Sequence, residues 1–116
     1  MVYENNILGD IEIVLNLNNC IFERVIAPIE NMILNYKLYL NFEVEEPEGF
    51  QDVFSLSIAM THGEKSKQVH FKDISRSKEV ALEVVEILVN GEVDTYSAPY
   101  IIEELLDIPR FILRRV

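Results

Sequence analysis

Residues 31–45 read Asn-Met-Ile-Leu-Asn-Tyr-Lys-Leu-Tyr-Leu-Asn-Phe-Glu-Val-Glu, and every even position is apolar: Met32, Leu34, Tyr36, Leu38, Leu40, Phe42 and Val44. A side-chain period of two makes this a long β-strand with one oily face. The odd positions place Asn35, Lys37, Asn41, Glu43 and Glu45 on the other face, and only Ile33 and Tyr39 interrupt it. Such alternation belongs to an antiparallel sheet covered on one side.

Downstream, Glu45-Glu46-Pro47-Glu48-Gly49 is a turn segment, and residues 52–61 alternate again, with Phe54, Leu56, Ile58 and Met60 on one side. A register with Val44 opposite Phe54, Phe42 opposite Leu56 and Leu40 opposite Ile58 would give both strands one shared apolar face. The polar loop His62-Gly63-Glu64-Lys65-Ser66 returns the chain through 67–73, where Val69 and Phe71 face inward and Met60 is expected opposite Val69. Upstream, residues 10–17 place Ile11, Ile13, Leu15 and Leu17 on one side. Asn18-Asn19 is a hairpin turn pair, and the strand at 20–27 stops at Pro28, which cannot donate to a ladder. These pieces predict a five-strand antiparallel meander.

At Ser75 the period changes to 3.6. Ser75 or Ser77 is placed to cap a helix. Val80, Val84, Ile87 and Leu88, widened by Ala81 and Val85, form its apolar stripe, with Glu79, Glu83 and Glu86 opposite. Asn90-Gly91 supplies a left-handed stop. A second helix starts at Ser97, with Pro99 in its first turn, carries Ile101, Ile102, Leu105 and Leu106, and ends before Pro109. The tail, Arg110-Phe111-Ile112-Leu113-Arg114-Arg115-Val116, is apolar and basic and is expected to dock on the domain or on a partner. The expected fold is α+β: a single domain over 1–116, with the sheet over about 10–74, two C-terminal helices over about 76–107 packed on one face, and the tail at 108–116.

The 116 residues leave room for one core, and the hydrophobic fraction of 49% with a charged fraction of 26% is that of a folded protein. No apolar run reaches the roughly 20 residues of a membrane span, and the start lacks the basic and apolar regions of a signal peptide. The lone Cys20 excludes an internal disulfide framework and points to a reducing cytoplasm. A formal net charge of −10 disfavours direct binding to nucleic acid and favours a basic protein partner.

Reaction chemistry is not in evidence. His62 and His70 have no further ligand at metal-site spacing and read as a solvated pair. Cys20 has no adjacent base and reads as a core or edge thiol. The carboxylate pairs Glu43 with Glu45 and Glu103 with Glu104 sit on a polar strand face and a helix surface, where nothing drives their pKa values apart. Each glycine is isolated, so there is no phosphate loop, and the HExxH, GxSxG and CxxC patterns do not occur. The expected protein is therefore not an enzyme and needs no metal or cofactor.

Two features carry binding. From Glu79 to Pro109 the chain has no Lys or Arg but holds Glu79, Glu83, Glu86, Glu92, Asp94, Glu103, Glu104 and Asp107, an acidic helical layer suited to a basic groove. Surplus aromatic surface at Tyr39, Tyr96 and Tyr100, together with Ile33, points to self-association. A homodimer through the long strand or its outer face is expected.

Tyr36-Lys37-Leu38 opening a strand, Leu56-Ser57-Ile58 in the next, and Phe71-Lys72-Asp73-Ile74-Ser75 leading into a helix form a pattern. With Asn90-Gly91-Glu92-Val93 and Ile101-Ile102-Glu103-Glu104-Leu105-Leu106, it resembles a family of short uncharacterised proteins from spore-forming Gram-positive bacteria. The resemblance covers residues 36–107 and implies the strands-then-helices order. It implies no activity. Where that family carries a Pro-Ile-His-Leu-like entry to its last helix, this chain has Ser97-Ala98-Pro99-Tyr100, so no role for that His transfers.

These readings lead to a non-enzymatic interaction or regulatory protein of the bacterial cytoplasm. The alternative is an acidic inhibitor of phage or mobile-element type, of the anti-CRISPR kind, that mimics nucleic acid to block a basic protein.

Overall fold

The computed structural model describes residues 2–6, 19–45 and 49–107. They form β1 (Val2–Asn6), β2 (Cys20–Ile26), β3 (Met32–Glu45), β4 (Gly49–His62), β5 (Lys65–Ser75), α1 (Lys78–Asn90) and α2 (Ala98–Leu106). The sheet order is β1-β5-β4-β3-β2, and every neighbouring pair is antiparallel. The fold is α+β, as the periodicities imply, but the meander has four strands, β2 to β5. The expected first strand over 10–17, its hairpin turn and the basic tail lie outside the described residues. The strand beside β5 comes instead from the polar start of the chain, Val2 pairing with Lys72 and Asn6 with Gln68.

The long hairpin has the expected faces in a different register. Leu40 pairs with Phe54, Leu38 with Leu56, Tyr36 with Ile58 and Leu34 with Met60, four residues from the expected alignment. The cause is the turn: Glu45 already pairs with Gly49, whose φ of 90° only glycine adopts freely. Loop length sets register, and an even shift leaves every side chain on its own face. On β5 the same effect puts Val69 opposite Ile58 and Lys67 opposite Met60.

The core lies between the even face of β3 and β4 and the two helices. Leu34, Tyr36, Leu38, Leu56, Ile58, Val69 and Phe71 meet Val80, Ala81, Val84, Val85, Leu88, Ile102 and Leu106, all buried. Phe42, expected in this inward row, is 66% exposed. The last β4–β5 pair is Phe54 with Ser75, where the chain turns into α1. Beyond that level, among the described residues, β3 and β4 pair only with each other.

Both helix boundaries follow side-chain chemistry. Ser77 Oγ accepts from the Val80 amide at α1, while Ser75 Oγ accepts from the Ser77 amide and donates to the Ser77 carbonyl. At the other end Gly91 is not left-handed, with φ −86°; the left-handed residue is Glu92, at 50°. Glu92 N–H donates to the Val89 carbonyl and Val93 N–H to the Leu88 carbonyl, which is a Schellman closure one residue later than the Asn-Gly pair implies. Gly91 has another reason to be small, because a Cβ there would lie 3.3 Å from Val93 Cγ2 and from the Ile87 carbonyl oxygen. Glu92→Gly is therefore expected to stabilise the domain by about 1 kcal/mol. A chemical denaturation midpoint that falls or stays unchanged would refute the strain at this position.

Candidate interaction surface

The two helices present their acids differently. Glu79 and Glu86 are exposed on α1, with Glu83 half-buried between them. On α2 the inward positions are Ala98, Ile102 and Leu106, while Tyr100, Glu103, Glu104 and the flanking Asp107 are exposed. Tyr100 is 72% exposed and Tyr96, one turn before it, 57%. Helical spacing puts Tyr100, Glu103 and Asp107 on one side, so an aromatic ring continues into carboxylates. Lys67 Nζ lies 3.9 Å from the centre of the Tyr96 ring, an intramolecular cation–π contact.

Glu92 and Asp94 do not join these rows. Asp94 Oδ1 accepts from the amides of Tyr96 at 3.0 Å and Ser97 at 2.9 Å, and its carbonyl accepts from Ala98, so this carboxylate starts α2. The connection between the helices is fixed to the sheet by Tyr36, whose buried hydroxyl donates to the Val93 carbonyl at 2.6 Å. Burial, reinforced by the negative charges of Asp94 and Glu92, pushes the Tyr36 phenol up to about 12. The eight acids picked out in the sequence thus divide into a row on α1, a row on α2 and two residues at the joint, where the Asp94 carboxylate is taken up by the start of α2.

The face opposite the helices departs most from expectation. Tyr39 is buried, as are Ser55, Ser57 and His70, so Tyr39 offers no aromatic surface. Its ring meets that of His70 edge to face at 6.2 Å. Burial raises the Tyr39 pKa, opposed by the nearby Ser57 hydroxyl and reinforced by Cys20 and Glu23. Even so, Ser57 stays short of hydrogen-bond geometry with Tyr39 Oη, which has no partner among the described residues. His62 and His70 are not a solvated pair. His62 is exposed and level with Lys65, five residues along β5 from His70, about 16 Å at strand rise.

Among the described residues no three of His, Cys, Asp and Glu gather into a metal-sized group. No helix there is long and apolar enough to cross a membrane. Cys20 is half-buried, and its thiol donates to the Phe22 carbonyl at 3.3 Å. An open depression of about 700 Å3 between the β2–β3 and β4–β5 turns is lined by Pro28, Ile29, Met32 and Ile33, and among the described residues Glu30 is its one ionisable group, so these supply no acid–base pair.

β3 has a strand on each side, so it offers no edge to a second copy, and strand order does not bear on the expected route through its outer face. Tyr36 was legible only as one more apolar position in its row. The available signal was its hydroxyl, since a buried Tyr ordinarily finds an acceptor. Compared with known proteins, the chain matches no family model, no curated protein and no solved structure.

Proposed function

We propose that this chain is a non-catalytic protein-interaction or regulatory module of the bacterial cytoplasm, engaging a basic partner through the outward side of α2. The observation that carries the reading is the run from exposed Tyr96 and Tyr100 into exposed Glu103, Glu104 and Asp107. Tyrosine faces attract guanidinium and ammonium groups, and carboxylates accept paired hydrogen bonds from Arg. Lys67 on Tyr96 is the same chemistry made internally.

The test is affinity capture from the native cell with the parent chain and with Tyr100→Ala/Glu103→Lys/Glu104→Lys, whose three sites are exposed. A basic protein should co-elute with the parent, be released near 0.5 M salt or roughly above it, and be lost with the variant. Identical captures from both would overturn the reading.

An acidic inhibitor of the mimic type is the second reading, favoured by Glu79, Glu83 and Glu86 stepping along one side of α1 at about 6 and 4.5 Å of rise. Duplex DNA added to the captured complex distinguishes the two. It displaces this chain from the partner if the chain occupies a nucleic-acid groove, and leaves the complex intact if the α2 surface binds elsewhere.

A further inference from the structure

Asn90-Gly91 is the one Asn-Gly pair in the chain. It sits where α1 ends, with both residues exposed. Such a pair carries a reaction of its own. Because Gly91 has no side chain in the way, its backbone nitrogen is able to reach the side-chain carbonyl carbon of Asn90. A bond forms between Gly91 N and Asn90 Cγ, the Cγ–Nδ2 bond breaks, and ammonia leaves with the proton of the Gly91 N–H. Water then opens the five-membered ring at one carbonyl or the other. The product is an aspartate, or an isoaspartate whose main chain runs one carbon longer through the former side chain.

Folding withholds the nucleophile. The Gly91 N–H donates to the Ile87 carbonyl at 3.0 Å, and those of Glu92 and Val93 donate to the Val89 and Leu88 carbonyls, each at 3.0 Å. A nitrogen held in the helix ladder does not turn back on the side chain before it. The same segment is held from the sheet, since the Val93 carbonyl accepts from the buried Tyr36 hydroxyl at 2.6 Å. We infer that Asn90-Gly91 is a latent deamidation site, shut by these hydrogen bonds and released when the end of α1 opens from the sheet.

The reaction runs one way and alters the joint. It places a new carboxylate at the C-terminal end of α1, where unpaired carbonyls already present negative potential and where Glu92 and Asp94 follow. In isoaspartate the extra carbon moves the Gly91 N–H out of step with the Ile87 carbonyl. Little slack exists to absorb it, since even a Cβ on Gly91 would lie 3.3 Å from the Ile87 carbonyl oxygen and from Val93 Cγ2. The connection that seats α2 therefore loosens irreversibly as the protein ages. What α2 binds does not enter the argument.

Peptide mass mapping of the full chain, warmed at mildly alkaline pH, follows the site, with isoaspartate counted by enzymatic methylation. In guanidinium chloride Asn90 should react before any other asparagine, and in the folded parent it should react at least ~10-fold more slowly. Ring closure is far slower than reclosing of the joint, so the folded rate tracks the population of the open form. Tyr36→Phe removes the hold on Val93 and should raise that rate about fivefold or more. Leu40→Ala weakens the core about 13 Å along β3 from Tyr36 and should leave the rate near that of the parent. Reacted chain, separated by its added charge, should melt below unreacted chain. Equal rates in the folded and unfolded chain, Tyr36→Phe reacting no faster than the parent, Leu40→Ala accelerated as much as Tyr36→Phe, or reacted chain melting as the unreacted does would overturn the proposal.

Discussion

Val84→Asp is expected to leave the domain unfolded at 25 °C. Val84 is fully buried on α1 within the cluster shared with Leu56, Ile58 and Phe71. The substitution forfeits about 1.5–3 kcal/mol of apolar burial and places a carboxylate where the core supplies no counter-charge, which costs several kcal/mol more. The sum exceeds ~4 kcal/mol, comparable with the whole stability of a small domain. Leu38→Asp, on the sheet side of the same core, should be equally severe. Leu40→Asp should be milder, because Leu40 is only half-buried where the helix cover runs out. Circular dichroism on heating measures all three. A cooperative transition for Val84→Asp near that of the parent would mean that α1 does not lie on the sheet.

Tyr36→Phe should weaken the protein at neutral pH and also remove much of its sensitivity to alkali. At neutral pH the variant loses the 2.6 Å hydrogen bond to the Val93 carbonyl, at a cost of about 1–3 kcal/mol. The alkaline effect follows from proton binding. An unfolded tyrosine ionises near 10, whereas folded Tyr36 holds its proton to about 12. Between those values the unfolded chain binds fewer protons, so stability is fully present below pH 10 and falls as pH rises towards 12. Across the window the loss approaches ~2.7 kcal/mol for a shift of about two units. Burial also raises the pKa of Tyr39, so a smaller alkaline loss persists in the variant. Urea midpoints between pH 7 and 12 should therefore start lower for Tyr36→Phe and decline less steeply. Equal slopes for the two proteins would show that the Tyr36 hydroxyl is not held as described.

The alternation of β3 and β4 and the heptad-like spacing of α1 made most of the core legible in sequence, because period and burial are directly coupled. Register was not legible, since it depends on how few residues the turn before Gly49 takes. Val2–Asn6 was missed because a five-residue strand with two asparagines and a glutamate carries no pattern. The outer face was misread for a related reason: Ser55, Ser57 and His70 look solvated in sequence, and nothing local shows that they are covered. Of the candidate surface, the exposed tyrosines and the α2 acids were visible by composition. The diversion of Asp94 into the start of α2 was not, because an acid before a helix and an acid for a partner are spelled alike.

The pairing of Val2 with Lys72 has a consequence for how the protein is made. A ribosome extending at about 5–20 residues per second delivers the partner of the first strand about 4–14 s after that strand has been synthesised. The hairpins from β2 to β5 close over short loops as they emerge, so β1 is translated well before the strand it pairs with and is among the last pieces to be seated.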